Sequence, residues 1–154
     1  EGGPSAVEAR LDTLKDGSVA LALTPQESVA FALPDTLGAV QVTAEVNQEK
    51  FDGTVSLLHH VQDAENYDFL AISDRAVQQG RVSGGEETVM DEAAVDQNGW
   101  VTVRAVGDGT HFRGYLGSEL VTHPHGEAAD PGMVGLRLEG TGTVQLRRLT
   151  AEAL

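Results

Sequence analysis

Short runs of alternating apolar and polar residues, separated by turn residues, dominate the chain. Residues 40–46 alternate cleanly, and Asp52-Gly53 separates them from a second run at residues 54–61. Alternation of this kind places successive side chains on opposite faces of a β-strand. Further strands are predicted at residues 18–23, 29–33, 67–73, 77–82, 88–90, 100–106, 110–116, 119–122, 134–139 and 143–149. About twelve strands at this spacing predict an all-β protein, an antiparallel sandwich of two sheets.

The N-terminal segment allows two interpretations. Residues 5–14 carry apolar side chains at Ala6, Val7, Leu11 and Leu14, which a short helix could use. An extended segment that pairs at a sheet edge fits the same residues, and we favour it. We therefore expect residues 1–17 to form a lead-in or edge segment and residues 18–154 to form one sandwich domain, a common size for a domain.

Charge and composition argue against several classes of partner and site. Ten basic residues against 24 acidic ones give a net charge of −14, which repels nucleic acid and anionic membrane surfaces. The absence of cysteine excludes disulfides, thiolate metal sites and cysteine nucleophiles. No apolar run approaches the ~20 residues of a membrane-spanning helix, so no transmembrane segment is expected.

Four motifs carry a resemblance to a known superfamily. They are Gln62-Asp63-Ala64-Glu65-Asn66-Tyr67, Asn98-Gly99-Trp100-Val101-Thr102-Val103-Arg104, Gly107-Asp108-Gly109 followed by Tyr115-Leu116-Gly117, and Gly132-Met133-Val134-Gly135-Leu136. In this order and spacing they are similar to the concanavalin A-like lectin/glucanase superfamily, in particular its laminin-G-like and 3-keto-disaccharide hydrolase-like domains. The resemblance implies a jelly-roll fold over about residues 37–149. It also implies an extracellular, cell-surface or periplasmic protein.

No catalytic constellation is visible in the sequence. Glucanases of the superfamily carry an E-x-D-x-x-E run on one strand, which is absent here, and Leu116-Gly117-Ser118 lacks the carboxylate usual in that hairpin. By resemblance we expect a non-catalytic, lectin-like binding module that recognises carbohydrate or a protein partner. Two alternatives stay open. One is a structural subunit that self-associates through sheet edges, and the other is a glycoside-cleaving enzyme of the glucanase or keto-disaccharide hydrolase type.

The hairpin around Asp108-Gly109 provides the predicted ligand surface. If these two residues form the turn, Arg104 faces Arg113 on the side of the sheet turned away from the core. Two opposed arginines repel each other, so an anionic group should lie over them, either a neighbouring acid or a ligand. The predicted ligand-binding residues are Arg104, Arg113, Tyr115, His111, Thr102 and His60.

Calcium is the one cofactor that the sequence leaves open. Asp63, Glu65 and Asn66 offer hard oxygen ligands, and by resemblance such domains often bind calcium at a rim. The alternative is an ordinary turn with solvated carboxylates.

The five histidines are predicted to be ordinary hydrogen-bonded residues. His59 and His60 are neighbours on a strand, so their side chains should point to opposite faces, with His59 toward the core and His60 near Arg104. His123 and His125 stand two residues apart and could chelate a metal, but the sequence places no third ligand beside them.

Overall fold

The computed structural model describes residues 7–96 and 98–154. Within them the chain forms eleven strands and no helix, and therefore none long and apolar enough to cross a membrane. The strands are β1 (Val7–Thr13), β2 (Val19–Pro25), β3 (Val29–Leu37), β4 (Val40–Asp63), β5 (Asn66–Ile72), β6 (Ala76–Ser83), β7 (Glu86–Ala94), β8 (Trp100–Asp108), β9 (His111–Leu116), β10 (Glu119–Thr122) and β11 (Gly132–Ala153).

Two long strands, β4 and β11, belong to both sheets of the sandwich. The first half of β4 pairs with β8 and the second half of β11, whereas its second half pairs with β5 and the first half of β11. Sheet I has the order β10-β9-β8-β4-β11-β2-β1, and sheet II has the order β3-β11-β4-β5-β6-β7, with antiparallel pairing throughout. Strands that bend from one sheet into the other close the corners of such a sandwich.

One apolar cluster fills the space between the two sheets. Val42 and Ala44 of sheet I and Leu57 and Leu70 of sheet II belong to it, and none is more than 1% exposed. These residues occupy alternate positions of their strands, as the pattern of the sequence predicts. The antiparallel two-sheet sandwich is thereby confirmed.

The strand boundaries differ from the prediction at the two long strands. The predicted strands at 40–46 and 54–61 are one strand, β4, and those at 134–139 and 143–149 are one strand, β11. There is no turn at Asp52-Gly53. The two residues lie within β4, which is paired with β11 at this point, and Gly53 lies opposite Gly140. A Cβ at either glycine would overlap the backbone of the other strand. The two strands can stay paired through this position because neither residue has a side chain.

At the N-terminus the described part of the predicted lead-in is extended. Residues 7–13 form β1, which pairs with β2 at the edge of sheet I, and they do not form a helix. Residues 1–6 lie outside the described residues.

Candidate functional site

The face of sheet II turned away from the core carries a second apolar cluster. Leu57 and Leu70 point into the core, so their neighbours Leu58 and Phe69 point outward, yet these are only 3% and 4% exposed. The other buried members are Val61, Tyr67, Ala71 and Val82. The outer face of an antiparallel sandwich sheet is normally polar. Ala30 of β3 and Met133 of β11 pack against this cluster, so the outer face of sheet II is covered there.

Two adjacent cavities lie over this cluster, and together we call them the sheet II groove. The first, about 320 Å³, is lined by Thr54, Ser56, Tyr67, Phe69, Ala71, Gln78, Glu87, Arg137 and Glu139. The second, about 310 Å³, is lined by Ser28, Val29, Ala30, Phe31, Ala32, Leu58, Val61, Asp63, Ala64, Tyr67, Met133 and Arg137. Tyr67 and Arg137 line both cavities, so the two cavities lie side by side.

Arg137 is held in the middle of the groove by hydrogen bonds. It lies on β11 between Ser56 of β4 and Ala30 of β3. Its Nη1 donates to the Tyr67 hydroxyl at 2.6 Å, and its Nη2 donates to Glu139 Oε2 at 3.3 Å. A guanidinium and a carboxylate held beside the apolar side chains of the second cavity can orient a ligand that has both apolar and hydroxyl-bearing faces.

The sequence reasoning missed this groove, although one signal for it is present. Residues 69–72 are apolar at every position, as is the pair Leu57-Leu58. A strand that is apolar on consecutive residues is buried on both faces, unlike the alternating strands of sheet I. This pattern indicates that the outer face of sheet II is also covered or occupied.

A larger cavity, about 570 Å³, lies elsewhere and is open to solvent. Four acids line it, namely Glu49, Asp52, Asp74 and Asp96. Its aromatic residue, Phe51, belongs to the core cluster. We favour the sheet II groove as the candidate site because it combines apolar side chains with an arginine that hydrogen bonds hold in place.

The predicted ligand surface on β8 and β9 has a different register. The turn is Gly109-Thr110, so Asp108 pairs with His111, and Arg104 lies opposite Tyr115 instead of Arg113. Gly109 has φ +62°, which suits glycine at the first central position of a type II′ turn. The predicted opposition of Arg104 and Arg113 is therefore wrong.

On this surface Arg104 stacks on an aromatic ring. Its guanidinium carbon lies 3.9 Å from the centre of the Tyr115 ring, so an aromatic face stabilises its charge. Arg113 lies opposite Val106, and Thr102 lies beside Glu45 of β4. The ligand-binding role of these residues stays a prediction. Among the described residues, none of the three cavities above is lined by Arg104 or Tyr115.

Comparison with solved structures identifies the fold. The carbohydrate-binding module CBM66 from Bacillus subtilis matches with a TM-score of 0.75 and 16% identity, covering 96% of both chains. A protein of unknown function with a galectin-like fold, also from Bacillus subtilis, matches with a TM-score of 0.73 and 13% identity, covering 95% of this chain and 87% of that one. A β-glucanase from Bacillus licheniformis matches with a TM-score of 0.63 and 12% identity, covering 94% of this chain and 82% of the glucanase. The fold is a concanavalin A-like jelly roll.

At these identities the likeness establishes the fold of the chain and nothing more. No family model matches the sequence, and no curated protein matches it. The resemblance carried by the four sequence motifs is confirmed at the level of the jelly-roll fold.

Both rings of the His59-His60 pair lie inside the jelly roll. His60 has φ +51° and lies where the pairing of β4 with β5 shifts register, so its side chain turns to the same side as that of His59. The two Nδ1 atoms are 2.7 Å apart, and His60 Nδ1 lies 3.5 Å from Asp68 Oδ2. The prediction that the two rings point to opposite faces is therefore wrong. His60 lies beside Asp68, and its ligand-binding role stays a prediction.

This buried group has one strong ion pair and one unpaired nitrogen. Arg81 Nε donates to Asp68 Oδ1 at 2.5 Å, and its Nη2 donates to the Glu127 carbonyl at 2.8 Å. Among the described residues, His59 Nε2 has no hydrogen-bond partner. Burial lowers the pKa of His59 to about 4, the Asp68 carboxylate opposes this shift, and His60 and Arg81 add to it. His59 is therefore neutral at neutral pH.

Gly107 provides the space for both imidazoles. A Cβ at this position would lie 2.8 Å from Cε1 of His59 and 2.8 Å from Cε1 of His60. We expect Gly107→Ala to destabilise the protein by about 1–3 kcal/mol, because both rings are buried and must shift against the side chains packed around them. Urea unfolding measures the change. Gly38→Ala is the control, since a Cβ there meets nothing within 4 Å, and an equal loss in both variants would contradict the role of Gly107.

The candidate calcium ligands are part of the turn between β4 and β5. Asp63 Oδ1 accepts hydrogen bonds from the Glu65 amide at 2.8 Å and from Asn66 Nδ2 at 2.9 Å. Both bonds lower the pKa of Asp63, and the bond from Asn66 makes the larger contribution. Asn66 Oδ1 in turn accepts from the Gly84 amide at 2.9 Å. The oxygens thus have a structural task in the turn, as the alternative interpretation predicts, and calcium binding stays a prediction.

A second histidine group lies on the surface, where the sequence placed only a pair. His111 starts β9, and His123 and His125 follow β10, yet the ring centres of His111 and His125 are 4.6 Å apart. The centres of His123 and His125 are 5.1 Å apart. Desolvation is the largest of the causes that lower the pKa of His123, and the positive charge of Arg113 is the next. The sequence places no third ligand beside His123 and His125, and the pairing of the loop after β10 with β9 brings His111 to them.

Proposed function

We propose that the protein is a non-catalytic carbohydrate-binding module of an exported or surface protein, with the sheet II groove as its saccharide site. The observation that carries the proposal is the position of Arg137, held between the Tyr67 hydroxyl and Glu139 beside the apolar side chains of Phe31 and Met133. Sugars have apolar faces of C–H groups and edges of hydroxyls. Apolar side chains can contact the C–H faces, and fixed polar groups can form hydrogen bonds with the hydroxyls.

The structural neighbours support this proposal. The neighbour with a TM-score of 0.75 is a carbohydrate-binding module, and it corresponds to this chain over 96% of both lengths. Its correspondence therefore extends over nearly the whole chain and is not confined to one segment. The strong negative charge of the chain favours a neutral saccharide over an anionic one, because the surface potential repels anions.

Binding of soluble β-1,3-1,4-glucan and of a glycan array tests the site, with Arg137→Ala as the variant. Loss of a charged hydrogen-bonding group should raise Kd about 10–100-fold, the equivalent of roughly 1.5–3 kcal/mol. Arg104→Ala is the matched control, because Arg104 is also a half-buried arginine that contacts a tyrosine, but on sheet I. The opposite ranking of the two variants would instead favour the β8–β9 surface, and no binding to any glycan would refute the proposal.

Glycoside cleavage is the second candidate, because Glu87 and Glu139 line the same cavity of the groove. Retaining and inverting glycosidases both use two carboxyl groups on either side of the bond that they cleave. Both glutamates are exposed, and Arg137 Nη2 lies 3.3 Å from Glu139 Oε2, so one of the two carboxylates already has a charged partner. We therefore rank binding above cleavage. Release of reducing ends from β-1,3-1,4-glucan, abolished by Glu87→Gln or Glu139→Gln, would reverse this ranking.

A further inference from the structure

Three histidines from two separate segments converge on one point of the surface. His111 belongs to β9, whereas His123 and His125 flank Pro124 in the connection after β10. One ring nitrogen of each histidine lies within 4.8 Å of a ring nitrogen of each of the other two. In a tetrahedral site with metal–nitrogen bonds of 2.0–2.1 Å, two ligand nitrogens lie about 3.4 Å apart. Small rotations of these exposed side chains close the difference.

The backbone under the three rings is held by hydrogen bonds. The Phe112 amide donates to the Pro124 carbonyl at 3.0 Å, and the Gly126 amide donates to the Thr110 carbonyl at 3.0 Å. These two bonds pair the loop with β9 as a short ladder, in which His111 lies opposite His125. Ligands on a fixed backbone lose little conformational freedom when they bind an ion.

A further bond fixes the start of the loop. The His123 amide donates to Asp91 Oδ2 of β7 at 2.9 Å. Pro124 is buried, and its ring restricts the backbone between the two histidines. The spacing of His123 and His125 is thus set by packing and by hydrogen bonds from β7 and β9, before any ion binds.

From this geometry we propose that His111, His123 and His125 form a binding site for one borderline divalent transition-metal ion, such as Zn²⁺. Imidazole nitrogen is a ligand that Zn²⁺, Co²⁺, Ni²⁺ and Cu²⁺ prefer, whereas Mg²⁺ and Ca²⁺ prefer oxygen. Three protein ligands on an exposed surface leave a fourth position for water or a small ligand. The net charge of −14 raises the local concentration of cations around the chain.

Isothermal titration calorimetry of tag-free protein with ZnCl₂ tests the site without any carbohydrate, so its outcome is independent of the proposed function. We expect one ion per chain. His111→Gln should raise Kd at least about tenfold, since even loss of an outer partner of a metal ligand costs that much. His125→Gln should do the same, and Co²⁺ should give the visible absorption of a nitrogen-ligated ion in the unchanged protein only.

The matched control is Glu127→Gln, which removes an acid from the same loop and leaves all three imidazoles in place. An equal rise of Kd in this variant would mean that the acidic surface, not the histidine group, binds the ion. An unchanged Kd in His111→Gln would likewise overturn the proposal, as would strong binding of Mg²⁺ at the same stoichiometry. Light scattering completes the test, because one ion per two chains would mean that the metal bridges molecules.

Discussion

Replacing Asp68 by asparagine should destabilise the protein by about 2–3 kcal/mol at neutral pH. The carboxylate is 2% exposed and pairs with the guanidinium of Arg81, which is 23% exposed. The hydrogen bond to Asp68 raises the pKa of Arg81. Without Asp68 the guanidinium stays charged, because arginine is not deprotonated in proteins. Breaking a buried pair on one side costs about 3–5 kcal/mol. We expect a smaller loss because water still reaches part of the Arg81 side chain.

Urea unfolding measures this loss, and Asp12→Asn is the matched control. Asp12 pairs with Arg10 at 2.9 Å, but the Arg10 side chain is 64% exposed, so its loss should be small. In the double variant with Arg81→Gln, the total loss should be less than the sum of the two single losses, because the residues share one interaction. An Asp68→Asn variant as stable as the unchanged protein would contradict the importance of the pair.

Alternation in the sequence was sufficient to predict where most of the strands lie and which side of the strands in sheet I faces the core. On β8 and β9 the inner residues are Val103, Ala105 and Phe112, as the predicted outward positions of Arg104 and Arg113 imply, although the register is different. The turn lies one residue further along the chain than predicted, which changes every pairing by two positions. Because the side-chain period of a strand is also two, each residue keeps its face while its partner changes.

The candidate sites depend on features that alternation does not contain. A residue in the left-handed conformation, His60, turns its ring to the same side as its neighbour, and nothing in the sequence marks this position. The contact of His111 with His125 depends on how the loop after β10 pairs with β9, a long-range pairing. The groove could have been found, since consecutive apolar residues on β5 indicate two buried faces.

Lowering the pH from 6.5 to 4 should reduce the free energy of unfolding by about 3 kcal/mol through His59 alone. The ring is fully buried, and burial lowers its pKa from 6.5 to about 4. Between pH 6.5 and pH 4 the unfolded chain binds a proton at His59 and the folded protein does not. Stability from this group is therefore complete above pH 6.5 and declines by up to about 1.4 kcal/mol per pH unit as the pH falls.

Urea unfolding at several pH values, compared with His59→Asn, isolates this contribution. Asparagine does not titrate, and its amide lies near the former Nδ1, where it can still hydrogen-bond to His60. The variant should be less stable at pH 7 because it leaves a cavity, but its stability should depend less on pH between 6.5 and 4. Hydrogen bonds lower the pKa values of Asp12, Asp16 and Asp63 below 3.8, so their contributions decline at lower pH and equally in both proteins. Parallel pH profiles of the two proteins would mean that His59 is not the group that titrates, because every other ionisable residue is common to both.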